Sequence, residues 1–379
     1  MADGSVQGLT HDRFAAVRDA FQANLDSGED VGASFCATVE GETVVDLWGG
    51  FADAAKTRPW VRDTIVNVYS TTKTMTALTA LLLADRGELD FDAPVARYWP
   101  EFAANGKADI KVSQLMSHSA GLSGWREKIA REDLYDWDKC VRLLAEQAPL
   151  WEPGTASGYH SITQGYLVGE VVRRITGKSL GAVFREEIAE PLGADFWIGL
   201  PASEDHRVAE LIPPEGPAVG EGEQTEVQAI TNRNPGIVIA DTRTRAWRGA
   251  EIPAAGGTGN ARAVAEIHAI LANGGVAKGR RFMSEAGCRK ALELQIEGPD
   301  LILGIHARFG LGFGLPGTLF PLPNPNSMFW GGYGGSLIII DFDARATFAY
   351  AMNRMVTTTT GDTRAFGLAM AMWQALGVI

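Results

Sequence analysis

Ser70 and Lys73 stand three residues apart in YSTTKTMTALTALLLADRGEL, at the head of an apolar helical run. Residues i and i+3 of a helix share a face, so a serine hydroxyl and a lysine amine at this spacing can meet. A hydroxyl that attacks must lose its proton, and an ordinary lysine, with a pKa of about 10.4, is a poor base at neutral pH. The site must therefore depress the lysine by desolvation or by another cation. A helix N-terminus adds partial positive charge and free N–H groups where negative charge would develop. The plain alternative is a serine N-cap and an ordinary helix lysine; the strand-to-helix junction at this point favours the chemical reading.

Tyr159 is a second candidate. It follows a Gly/Ser-rich loop in PGTASGYHSITQGYLVGEVV and precedes a helical pattern at Ile162, Tyr166, Leu167 and Val171. A phenol facing Lys73 can act as base toward Ser70 and then as acid toward a leaving group. Read alone, Tyr159 is also a half-buried aromatic anchoring its loop. His160 is a rival base with a more natural pKa, but it would leave Lys73 without a role. The third candidate is MFWGGYGGSLIIIDF, where Trp330, Gly331 and Gly332 open a strand and glycine marks close approach of a backbone or a ligand. A Gly-x-Ser-x-Gly elbow is missing, since GTASG and AGLSGW both depart from it, which argues against an α/β-hydrolase.

These groups need elements to hold them. THDRFAAVRDAFQANLDSG reads as an amphipathic helix with Thr10 as N-cap and Phe14, Val17, Phe21 and Leu25 on one face. GASFCATVEG and ETVVDLWGG read as a hairpin, and TIVNVYS as a third strand. Helical patterns dominate from about 86 to 300, with a Pro/Gly/acid-rich loop over 200–235, long enough to suggest a functional role. FGLGFGLP, SMFWGG, GSLIIIDFDA and ATFAYAMNRM return to strands before a terminal helix, DTRAFGLAMAMWQAL. The expected fold class is α/β (α+β): a central antiparallel sheet flanked by helices, built from 1–85 together with 300–379, and a mainly helical insertion over 86–299 with the site between them.

Composition sets the outer limits. With 46% apolar and 21% charged residues the chain reads as an ordinary globular protein. A net charge of -12 and scattered basic residues argue against nucleic acid as a partner. No apolar run reaches the roughly 18 residues of a membrane span and no leader is evident, so a cytoplasmic protein is expected. Cys36, Cys140 and Cys288 fit packed, reduced thiols. The six histidines lack close ligand spacing, so neither metal nor other cofactor is expected.

STTK, YHS at 159–161 and WGG at 330–332, in that order, resemble the motifs of the serine β-lactamase and penicillin-binding protein superfamily, specifically the class C β-lactamase-like family VIII carboxylesterases. LDFDAPVARYWPEF, QLMSHSAGLSGW and AWRGAEIPAAGGTGNARAVAEIHAILANGG strengthen the resemblance, which spreads over most of the chain. It implies a serine β-lactamase-like fold with Ser70 as acyl-enzyme nucleophile, Lys73 and Tyr159 as paired acid/base groups, and the Ser70 and Tyr333 amides as oxyanion hole. It also implies that Trp330, Gly331, Gly332, Ser161 and His160 contact substrate.

Two departures shape the expected activity. Trp330-Gly331-Gly332 stands where the β-lactamases have Lys-Thr-Gly, and Ser161 where their tyrosine motif ends in asparagine. Both weaken recognition of anionic β-lactams and suit small neutral esters of short to medium chain, with the ten tryptophans as candidate apolar walls. A β-lactamase, a D-aminopeptidase or D,D-peptidase, and a silent ligand-binding protein remain as alternatives. The oligomeric state is not readable.

Overall fold

A computed structural model describes residues 4–216 and 222–379. Its centre is a six-stranded antiparallel sheet: β1 (Gln7–Thr10), β2 (Gly32–Val39), β3 (Glu42–Gly50), β4 (Ser327–Gly331), β5 (Leu337–Asp341) and β6 (Ala346–Met352), in the order β1-β3-β2-β6-β5-β4. Strands from both chain ends therefore meet at the β2–β6 pair, where Ala349 lies opposite Cys36. β2, β5 and β6 are almost wholly buried, as expected of central strands covered on both faces.

Helices cover both faces. Helix α1 (Ala15–Asp26) packs on α6 (Thr363–Leu376), and Trp373 of α6 meets Phe348 of β6 edge-on at 5.4 Å. The adjacent Thr347, whose side chain must point to the opposite face, donates to the Ala265 carbonyl of α5 (Ala261–Ala272) at 3.0 Å. Helix α5 lies inside the 86–299 stretch read as an insertion, yet it packs on the sheet. The main apolar core runs through both parts of the chain, beside a small satellite cluster of Ile65, Leu200 and Val208, so the sheet layer takes in more sequence than the two ends.

Helix α2 (Thr72–Asp85) is buried on every side through Leu83 and packs against α4 (Thr163–Thr176), on which α3 (Trp137–Glu146) also packs. A helix of this kind belongs to a core, and its threonines find backbone carbonyls: Thr76 donates to that of Pro253, on a distant segment, and Thr79 to that of Met75, one turn back.

Several expectations need correction. Thr10 is no N-cap: it closes β1, and a 3-10 turn over Asp12–Phe14 leads into α1. Only Val66–Asn67 of TIVNVYS forms a strand, and it pairs with Thr258–Gly259 in a separate small sheet rather than with the hairpin. FGLGFGLP is mostly turn, because the strand His306–Phe309 ends as that stretch begins and Gly312 takes a φ of +88°. Within 200–235 the chain forms a 3-10 turn, Ala202–Arg207, and a helix, Glu226–Arg233, whose capping box joins Thr225 and Gln228; 217–221 lie outside the described residues. No helix among the described residues is long and apolar enough to cross a membrane. The three cysteines are buried and unpaired.

Candidate active site

The turn that carries Ser70 is strained and clamped. Tyr69 has a φ of +43°, rare for a bulky residue and a mark of functional turns. Its N–H donates to Asn67 Oδ1 at 3.1 Å, its carbonyl accepts from Thr72 Oγ1 at 2.5 Å, and Thr72 Oγ1 in turn accepts from Gly257 N–H at 2.8 Å. The segment 253–257 thus runs along the start of α2 and fixes the angle at which Ser70 leaves it.

Ser70, Lys73 and Tyr159 come together around one oxygen. Tyr159 Oη donates to Ser70 Oγ at 2.7 Å, and Lys73 Nζ lies 3.2 Å from the same atom. Lys73 Nζ also donates to the backbone carbonyls of Ser161 (2.7 Å) and Ala254 (3.0 Å). The side chain is fully buried and, among the described residues, has no carboxylate partner, so desolvation holds its pKa well below the ordinary lysine range. Tyr159 moves the other way. Burial raises its pKa above that of an ordinary phenol, the Ser70 contact opposes the rise, and the Asp300 charge adds to it.

An amine in its neutral form has two N–H bonds and one lone pair. In that form, with both hydrogens on the Ser161 and Ala254 carbonyls, the lone pair of Lys73 would face the Ser70 hydroxyl.

His160 is not in the cleft. It is fully buried, its Nε2 accepts from Leu122 N–H at 3.0 Å, its Nδ1 contacts the Gly158 carbonyl, and burial lowers its pKa to about 4. The substrate contact expected of it is replaced by a structural one. Trp330 is buried between His118, Tyr159 and Phe309, each ring centre 5.7 Å away, and lines a small apolar side pocket rather than the main cleft. Its indole N–H approaches Tyr159 without a hydrogen bond of proper geometry.

Gly331 and Gly332 are glycine for packing reasons. A Cβ on Gly331 would lie 2.6 Å from Thr360 Cα, and one on Gly332 would lie 2.1 Å from the Val68 carbonyl oxygen. Neither lines the cleft, whereas Tyr333 and Ser161 do. Gly332 N–H donates to the Ser336 carbonyl (2.9 Å), and Ser336 Oγ to that of Val68 (2.9 Å), which locks the exit of β4 against the Ser70 turn.

The cleft over Ser70 has a volume of about 590 Å³. Its apolar wall is formed by Ile237, Ile239, Ile302, Leu303, Ile305 and Phe320. Among the described residues no tryptophan lines it, contrary to the expected walls. A run of threonines, Thr357 to Thr360, together with Gln228 and Asn232, forms a polar side. Among the described lining residues Glu223 is the one charged group, and no lysine or arginine is present. Sequence reasoning missed the Ala254 carbonyl, the threonine run and the 226–233 helix. Of these only the helix had a signal, the Thr225-x-x-Gln228 capping box.

A family model described as Beta-lactamase matches residues 17–370. The chain belongs to this beta-lactamase family. Its beta-lactamase-like fold is shared with a solved family VIII carboxylesterase at 46% identity and a TM-score of 0.93, over 98% of this chain and 99% of that one. A penicillin-binding protein homolog from Caulobacter crescentus is 39% identical with a TM-score of 0.92, over 98% and 99% of the two chains. The esterase/beta-lactamase LipL of Mycobacterium tuberculosis is 37% identical over 368 residues, 93% of this chain and 84% of that protein. Within the beta-lactamase family the neutral Trp330 and the cation-free cleft are thus features of a chain similar to an esterase, to a penicillin-binding protein homolog and to a protein named for both activities.

Proposed function

We propose that the protein is a carboxylesterase that hydrolyses small and medium neutral esters through an acyl-enzyme on Ser70. The observation that carries this is Ser70 Oγ between Lys73 Nζ (3.2 Å) and Tyr159 Oη (2.7 Å) beside a cleft with no basic residue among the described lining residues. A substrate carboxylate would find no cation there and would face Glu223; an uncharged acyl group finds the isoleucine and leucine wall. The similarity to a family VIII carboxylesterase and to LipL supports the same reading. β-Lactam hydrolysis stays a side activity within the proposal.

In the proposed cycle, neutral Lys73 takes the Ser70 proton as Oγ attacks the ester carbonyl. The oxyanion lies against the Ser70 and Tyr333 amides, a placement supported by the packing of Gly332 on Val68 immediately before Tyr333. The adduct collapses, the bond to the alcohol oxygen breaks, and the departing alkoxide takes the Tyr159 proton. Water then attacks the acyl-enzyme with the proton transfers reversed. No cofactor enters the scheme. A cytoplasmic setting is also part of it, supported by three buried, unpaired thiols.

The test is intact-protein mass after brief mixing with p-nitrophenyl butyrate. The expected result is a transient butyryl adduct on the wild type and none on Ser70→Ala, with turnover lost and the fold retained. Persistent turnover in Ser70→Ala overturns the assignment, and the absence of any adduct favours a silent binding protein.

A further inference from the structure

We propose that Asp300 is the positioning residue of Tyr159, a single carboxylate oxygen fixing both the proton donor and the apolar wall beside it. The proposal rests on the reading of Tyr159 as acid toward the leaving alcohol. Asp300 is buried, 2% exposed, and its Oδ1 accepts three backbone N–H groups: Tyr159 at 3.1 Å, Ile302 at 3.0 Å and Leu303 at 2.9 Å.

The last two contacts are local, of the kind by which an aspartate commonly closes a turn. The first is not, since it reaches 141 residues back along the chain to the residue that touches Ser70 Oγ. A second tie lies alongside, from Leu301 N–H to the Ser157 carbonyl at 2.9 Å. The Tyr159 loop and the 300–303 turn are therefore joined at two points. Ile302 and Leu303, held by the same oxygen as Tyr159, line the cleft next to it.

The other oxygen, Oδ2, is buried and has no partner among the described residues. A buried carboxylate with a free oxygen costs stability, which a turn alone does not require. Its negative charge adds a smaller upward push to the Tyr159 pKa, behind that of burial. Asp300 does not reach the reacting atoms. It acts through the placement of Tyr159.

This predicts a dependence on the leaving group. When the bond to the alcohol breaks, its electron pair departs with the alkoxide oxygen, which must gain a proton if it is strongly basic. Ethoxide needs the Tyr159 proton; p-nitrophenolate leaves without it. In Asp300→Ala, kcat/KM on ethyl butyrate should fall about 100-fold while that on p-nitrophenyl butyrate falls less than about 5-fold, the size expected for a misplaced general acid. Tyr159→Phe should give the same disparity, and Asp300→Asn, which keeps the Oδ1 acceptor, should recover most of the ethyl butyrate activity.

Should Asp300→Ala not fold, Asp300→Ser closes the turn with a shorter group that does not reach Tyr159, and it should show the same selective loss. Equal losses on the two esters, wild-type activity on ethyl butyrate, or no recovery in Asp300→Asn would each overturn the proposal. An absence of leaving-group disparity in Tyr159→Phe would instead remove the reading of Tyr159 on which it rests.

Discussion

The backbone carbonyl of Ser161 accepts a hydrogen bond from Lys73 Nζ at 2.7 Å, and Ser161 also lines the cleft. The part of Ser161 that touches the proton-transfer groups is thus main chain, common to every residue type. Its neighbour two positions back, Tyr159, reaches Ser70 with its side chain. The short segment 159–161 therefore serves both members of the Ser70–Lys73 pair, once through a phenol and once through a carbonyl.

From this follows the first expectation. Ser161→Ala retains the carbonyl, so Lys73 keeps both backbone acceptors and its lone pair stays toward Ser70. Acylation by p-nitrophenyl butyrate, followed by stopped flow, should stay within about threefold of wild type, a loss no larger than one uncharged hydrogen bond to substrate. A loss of 100-fold or more would mean that the hydroxyl itself takes part in proton transfer.

The Gly332 contact leads to a second expectation. The Val68 carbonyl stands two residues before Ser70, and a Cβ on Gly332 would be only 2.1 Å from its oxygen. The obstacle is backbone, which cannot swing aside as a side chain can. Gly332→Ala should therefore displace β4 from the Ser70 turn and lower kcat on p-nitrophenyl butyrate by at least about 100-fold, the order seen when an oxyanion-hole donor is lost. Binding of a non-reactive ketone analogue, which lies in the same cleft without needing the hole, should change far less. A variant with normal kcat would show that the strand exit has room to move.

Legibility from sequence followed range along the chain. The Ser70–Lys73 pair was readable because both members lie on one helical turn, and Tyr159 because its loop and helix have a local signature. The sheet was readable where apolar runs are continuous, as in β5 and β6. What failed depends on pairing across distance. TIVNVYS is apolar enough for a strand, but its partner is Thr258–Gly259, nearly 200 residues away. His160 has the composition of a base, yet only its burial against Leu122 and Gly158 marks it as structural. The tryptophans were expected in the cleft on composition; large aromatic surface instead went to the core, where Trp99, Trp125, Trp247 and Trp373 are fully buried. Asp300 had no local signal, because its defining contact is to a residue 141 positions earlier.

Acid should weaken the fold, and the sign comes from the buried histidines. His160 and His268 are lowered to about 4 and His118 well below its ordinary value, each by burial. Between about pH 6.5 and 4 the unfolded chain binds protons that these three do not accept when folded, so stability rises with pH there. Asp30, raised by burial to about 6, has the opposite sign over about pH 4 to 6, since the folded state then binds the extra proton. Glu251, also raised by burial, adds to this opposing sign, and the three rings outweigh the two carboxyls. Urea midpoints should fall from pH 7 to pH 5, and His268→Gln should make the fall shallower. A flat profile would mean that the three rings accept protons in place.

The tryptophan at the head of the third motif supplies the last expectation. Where Lys-Thr-Gly offers a cation to substrate, Trp330 is 8% exposed and packed against His118, Tyr159 and Phe309. Restoring the cation by Trp330→Lys would not present it to the cleft, because this position faces the ring cluster and the side pocket. It would bury an ammonium among aromatic rings and neutral histidines and leave a void where the indole stood. The expected cost is about 3 to 5 kcal/mol in urea unfolding, the range for an uncompensated buried charge together with loss of a large core side chain. Ester turnover should fall with it through the loss of packing behind Tyr159, and hydrolysis of a chromogenic cephalosporin should not rise. A stable variant with increased cephalosporin hydrolysis would mean that the substituted side chain reaches the cleft and that one neutral ring, rather than the whole cation-free wall, sets the preference for esters.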